Sequence, residues 1–84
     1  MDDVTKTIRD IVSSYGRISV DMAKLGDDDD LFEAGMTSHA TVNVMLALEE
    51  EFDVEFPEEL LTKETFESVS AMRAVVRDLT GAVA

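Results

Sequence analysis

At 84 residues, with 45% of them apolar, the chain has room for one small domain with a modest core and is too hydrophobic for a disordered tail. A net charge of −12 makes nucleic acid and anionic lipid poor partners, because each needs a basic face. The absence of Cys excludes a disulfide framework, a Cys-based zinc site and a cysteine nucleophile, and with no membrane-length apolar run and no signal-like N-terminus the expected location is the cytoplasm.

Residues 3 to 15 predict a helix. Val4, Ile8, Ile11, Val12 and Tyr15 recur at helical spacing and share a face, and Gly16 is placed to end it. Residues 16 to 36 hold no sustained period and predict a long loop, with Ile18, Val20, Met22, Leu25, Leu31 and Phe32 as its apolar anchors. A second helix is expected over residues 38 to 52, with Thr37 as N-cap. Val42, Met45, Leu46 and Phe52 fall broadly on one side of it, and Val44 and Leu48 widen the stripe. Residues 53 to 56 read as an extended link, and Pro57 suits the first position of the next turn. A short third helix is expected over residues 58 to 65, built around Leu60 and Leu61. Ser68 then caps a last helix carrying Val69, Met72, Val76 and Leu79, which Gly81 stops. The expectation is an all-α fold of three longer helices and one short one, a single domain over residues 1 to 84 with no internal repeat.

Charge is unevenly placed. Residues 25 to 62 hold twelve Asp and Glu and no Lys or Arg, so the whole net charge lies there. Glu49, Glu50 and Glu51 crowd the last turn of the second helix, the wrong end for acids beside a helix dipole. Such a stretch is either a solvated surface or a docking face for basic partners.

Little catalytic chemistry survives scrutiny. Ser38 and His39 are adjacent, so on a helix they point about 100° apart and cannot act as nucleophile and base. No other His is present, and a hydrolase needs a carboxylate orienter and an oxyanion hole as well. An EF-hand started at Asp30 puts Phe32 and Thr41 at ligand positions, and one started at Asp21 puts Ala23 and Phe32 there. What remains is a serine at a helix mouth, where free N–H groups favour anions. On the residues alone, Ser38 is either an anchor for a phosphodiester or an ordinary capping-region residue.

The stretch LFEAGMTSHATVNVMLALEEEFDVEFPEELL resembles the heart of an acyl carrier protein. The family pattern runs Leu-Phe-x-x-Gly-x-Asp-Ser-Leu, then an apolar helix ending in acids and Phe-Asp, then a link with Pro. Leu31, Phe32, Gly35 and Ser38 fall in place, as do Glu49, Glu50, Glu51, Phe52, Asp53 and Pro57. The resemblance implies a right-handed four-helix bundle with a short third helix and a long first loop. It implies 4′-phosphopantetheine, taken from coenzyme A and attached to Ser38 by a phosphopantetheinyl transferase. The arm would end in a thiol carrying an acyl or aminoacyl group as a thioester, so that a chain without Cys gains one. The protein itself would catalyse nothing. It would act as a monomer, receive cargo from an acyl- or aminoacyl-loading ligase and present it to downstream acceptor enzymes. The implied docking residues are Thr37, His39, Val42, Met45, Glu49 and Glu50. An unmodified acidic interaction module of the same fold is the alternative.

Two positions depart from the pattern: Thr37 stands where the family has Asp, and His39 where it has Leu. Thr keeps the capping oxygen but loses the charge, and His brings a titratable ring. Both point away from a housekeeping fatty-acid carrier. The stretch EFPEELLTKETFESVSAM is similar to a group of stand-alone bacterial carriers loaded with an amino acid by truncated relatives of aminoacyl-tRNA synthetases. That second resemblance implies a small amino acid as cargo.

Overall fold

The computed structural model describes residues 3 to 81. Among these residues the structure is all-helical: α1 (Asp3–Tyr15), α2 (Ser38–Phe52), α3 (Lys63–Phe66) and α4 (Val69–Thr80), with 3₁₀ turns at Met22–Lys24 and Glu58–Leu60.

The first and last helices form for the reason their sequences give. In α1 the stripe Thr5, Ile8, Ile11 and Val12 is buried, whereas Tyr15, at the helix end, is half exposed. In α4 Val69, Met72 and Val76 are fully buried. The Ser68 hydroxyl accepts from the Ala71 N–H, and Gly81, at φ 70°, turns its own N–H back onto the carbonyls of Arg77 and Asp78. α1 packs against both α2 and α4, and α3 against α4.

α2 corrects the expected stripe. The residues it buries are Ala40, Val44 and Leu48, each one turn apart, while Val42 and Leu46 are about half exposed. A helix apolar on most of its circumference leaves its rotation to tertiary packing, and here the small Ala40 admits close contact. The short third helix is also displaced. Pro57 precedes a 3₁₀ turn at Glu58–Leu60, and α3 begins only at Lys63, behind the Thr62 cap. Leu61 is exposed, and the buried anchors of this region are Phe56, Thr65 and Phe66. Phe56 and Phe66 stack with ring centroids 5.6 Å apart, a contact that adjacent leucines could not make.

The long first loop is tied down rather than free. Arg9 on α1 donates to the Asp27 carboxylate at 2.9 Å and to the carbonyls of Met22 and Leu25. Arg73 on α4 reaches the other Asp27 oxygen at 3.2 Å and the Thr5 hydroxyl at 3.0 Å. The Asp27 carbonyl accepts from the Ser70 N–H in the first turn of α4, and the Leu31 N–H donates to the Glu67 carbonyl at 2.7 Å. Leu31 itself is fully buried. Backbone polar groups of a loop crossing a core need such partners.

Candidate functional site

The loop delivers the chain to α2 through a tight turn. Met36 and Ala34 both donate backbone N–H groups to the Leu31 carbonyl, and the Ser19 N–H and hydroxyl converge on the Ala34 carbonyl. Gly35 adopts φ 112°, where a side chain would be strained, and a Cβ there would lie 2.7 Å from the Ser19 hydroxyl.

Thr37 then caps α2. Its hydroxyl accepts from the Ala40 N–H at 3.0 Å, and its carbonyl accepts from the Thr41 hydroxyl at 2.8 Å. Ser38, the first helical residue, therefore has no capping duty. Its side chain is exposed and makes no hydrogen bond to the described residues. His39 is exposed beside it and does not line the groove into which Ser38 opens.

That groove has a volume of about 480 Å³. Phe32, from the loop, Val42 and Met45, from α2, and Leu61 and Phe66, from the α3 region, supply its apolar walls. Among the described residues Lys63 is the one charged residue lining it. The exposure of Val42, at odds with the expected core stripe, is thus one wall of a depression at the foot of Ser38.

Of the residues singled out from sequence, the structure brings Ser38, Val42 and Met45 together along one groove, and Thr37, immediately before Ser38, is the N-cap of α2. Glu50 is exposed in the last turn of α2. Glu49 has a structural role, since its carboxylate accepts from the Phe56 N–H at 2.8 Å. Phe66, Leu61 and Lys63 were not legible as site residues. The one available signal was Lys63 itself, the first base after a long acidic stretch.

Residues 6 to 80 match the model of the family described as the phosphopantetheine attachment site. The chain belongs to that family: it is a carrier protein whose prosthetic group is covalent 4′-phosphopantetheine, and not an enzyme. Within that class it is similar to the aminoacyl carrier protein of Agrobacterium fabrum, at 39% identity over 71 residues, which is 84% of this chain and 86% of that protein. A chain in the crystal structure of an engineered Bradyrhizobium japonicum glycine:[carrier protein] ligase, complexed with a carrier protein from Agrobacterium tumefaciens and AMP, superposes with a TM-score of 0.84 at 38% identity, covering 87% of this chain and 97% of that one. A solution structure of an Agrobacterium tumefaciens protein matches with a TM-score of 0.71 at 36% identity, over 94% of this chain and 99% of the other. The residues present fit the prosthetic group: an exposed hydroxyl with no competing bond stands at a helix mouth, above an open groove of mainly apolar walls.

Proposed function

We propose that Ser38 is the residue that carries 4′-phosphopantetheine, and that the thiol at the end of the arm presents a small amino acid as a thioester. The observation that carries this reading is the idle hydroxyl. Thr37 does the capping, so Ser38 is left free at the helix mouth, which removes the ordinary structural explanation for a serine there. Free N–H groups in the first turn of a helix suit the phosphodiester that attachment creates.

A phosphopantetheinyl transferase supplies the arm from coenzyme A. The cargo follows from similarity: one matched carrier is seen with a glycine:[carrier protein] ligase, so the loading partner is taken to be an aminoacyl ligase of that kind. Downstream enzymes then accept the aminoacyl group. The docking face comprises Thr37, His39, Val42, Met45 and Glu50, with Glu49 contributing charge beyond its bond to Phe56. The chain acts as a monomeric single domain over residues 1 to 84, in the cytoplasm, where coenzyme A and aminoacyl ligases meet. Among the described residues no helix is long and apolar enough to cross a membrane.

The test is intact mass after incubation with coenzyme A and a broad-specificity transferase. Wild type gains one phosphopantetheinyl group. Ser38→Ala gains nothing and keeps its helical circular dichroism. Equal modification of the variant would move the attachment elsewhere, and no gain in either would return the chain to an unmodified interaction module.

A further inference from the structure

We propose that Lys63 is a positioning residue for the prosthetic arm: its ammonium pairs with the phosphodiester on Ser38 and turns the arm into the groove between α2 and α3 instead of out into solvent. This rests on the reading of Ser38 as the attachment point.

Three observations lead to Lys63. Among the described residues it is the one charged residue lining the groove that Ser38 also lines. Its side chain pairs with no carboxylate among the described residues, whereas Lys6 pairs with Asp10, and Arg9 and Arg73 share Asp27. An unpaired base directly after a segment of twelve acids is not explained by neutralising that segment. Its ammonium rests instead 5.6 Å from the centroid of the Phe32 ring, on the groove wall. An exposed cation–π contact is weak, so the ammonium can leave the ring when an anion arrives.

Modification supplies that anion. A phosphodiester on Ser38 adds negative charge within the acidic segment 25–62, and among the described residues Lys63 is the charged side chain of the shared groove that can pair with it. Pairing there draws the first atoms of the arm toward α3, and the geminal methyls that follow meet the apolar walls made by Met45 and Phe66. Release of the ring also exposes the face of Phe32 to the arm. The ion pair is solvent-exposed and hence modest, which suits an arm that must leave the groove to reach other enzymes.

The experiment compares the modified forms of wild type, Lys63→Gln and Lys63→Arg by NMR. Lys63 is exposed, so all three keep the fold. Intact mass first establishes one phosphopantetheinyl group on each. In wild type the ³¹P resonance and the Lys63 side-chain resonances shift together on modification, and cross-peaks link the arm's geminal methyls to Met45 and Phe66. In Lys63→Gln those cross-peaks weaken roughly two- to fivefold, the range that an exposed ion pair governs. Lys63→Arg restores them. The difference between wild type and Lys63→Gln disappears near 1 M salt, where the screening length is about 3 Å. A normal mass gain with the same ³¹P resonance and cross-peaks in wild type and Lys63→Gln overturns the role of Lys63 alone. Absence of any mass gain overturns it together with the Ser38 reading.

Discussion

The Glu49 carboxylate, in the last turn of α2, accepts a hydrogen bond from the Phe56 N–H at 2.8 Å. The same residue's carbonyl accepts from Val54 at 3.1 Å and from Asp53, whose φ of 52° turns the chain out of the helix. Phe56 stacks on Phe66, and Phe66 is a wall of the groove below Ser38. One glutamate of the acidic cluster therefore holds the return of the chain toward the site, while its neighbour Glu50 faces water.

That division gives a first prediction. Glu49→Ala leaves a largely buried backbone N–H without its partner and should cost about 1–2 kcal/mol, read as a lower urea midpoint. Glu49→Gln keeps an acceptor oxygen and should recover most of the loss. Glu50→Ala should change stability by less than about 0.5 kcal/mol. A fall in midpoint shared equally by Glu49→Ala and Glu50→Ala would remove Glu49 from the packing of this turn.

Docking is tested most cleanly at a residue without structural duties. Glu50→Lys should slow association with a loading ligase more than Glu64→Lys, since both are exposed but only Glu50 lies on α2. The gap should narrow with added salt, because screening acts over about 8 Å at physiological ionic strength. Equal effects of the two reversals would take the acidic end of α2 out of partner recognition.

The boundaries of α1, α2 and α4 were legible because each carries a punctuation residue that physics ties to one place: Gly16 after α1, Thr37 before α2, Ser68 and Gly81 around α4. The rotation of α2 was not. Val42, Val44, Met45, Leu46 and Leu48 surround most of the helix, and tertiary packing, with α1 as its main helix partner, decides that Val44 and Leu48 go in. Leu60 and Leu61 misled for a related reason. Two adjacent leucines mark no helical face, and the buried contacts come from Phe56 and Phe66, ten residues apart. Ser38 was legible as a motif position, but its free hydroxyl was visible only once Thr37 was seen to hold the Ala40 N–H.

Thr37 gives the next prediction. Thr37→Ala removes the cap of α2 and should cost about 1 kcal/mol. Thr37→Asp should restore the cap and add a favourable charge at the positive end of the helix, worth about 0.3–1 kcal/mol. For a domain of this size 1 kcal/mol moves the melting temperature by roughly 4–8 °C, which calorimetry resolves. A Thr37→Ala protein as stable as wild type would mean that Ser38 takes over the cap.

Asp27 joins α1, the long loop and α4 through Arg9 and Arg73. The three side chains are 31%, 16% and 26% exposed, so water screens the network in part. Asp27→Ala should cost about 2 kcal/mol, less than the 3–5 kcal/mol for breaking a fully buried pair. Because Arg9 also donates to two loop carbonyls, it stays anchored, and amide exchange should rise in residues 26 to 31 more than in α2. Uniform loss of protection across the chain would show that Asp27 supports the whole fold rather than the loop.

The final prediction concerns cargo. A cavity for a long acyl chain would have to draw on the apolar side chains nearest Ser38 and the core between the helices. Met72 is fully buried in the core, Leu46 is half exposed on the outer face of α2, and of these three only Met45 lies on the groove. Val44, Leu48 and Val76 are also fully buried, so a long chain has to part packed side chains to go deeper than the groove. Each CH₂ that succeeds in being buried returns about 0.8 kcal/mol, so a carrier that admits a long chain is strongly stabilised by it. A carrier of small polar cargo is not, since a glycyl thioester offers almost no apolar surface. Loading the thiol form with a long acyl chain should therefore raise the melting temperature by little more than loading it with glycine. Mass spectrometry of the chain from its native cell should find an amino acid in thioester linkage. Strong stabilisation by the long chain, together with a native hydrocarbon adduct, would reassign the cargo. It would leave the carrier family and the free hydroxyl of Ser38 as they stand.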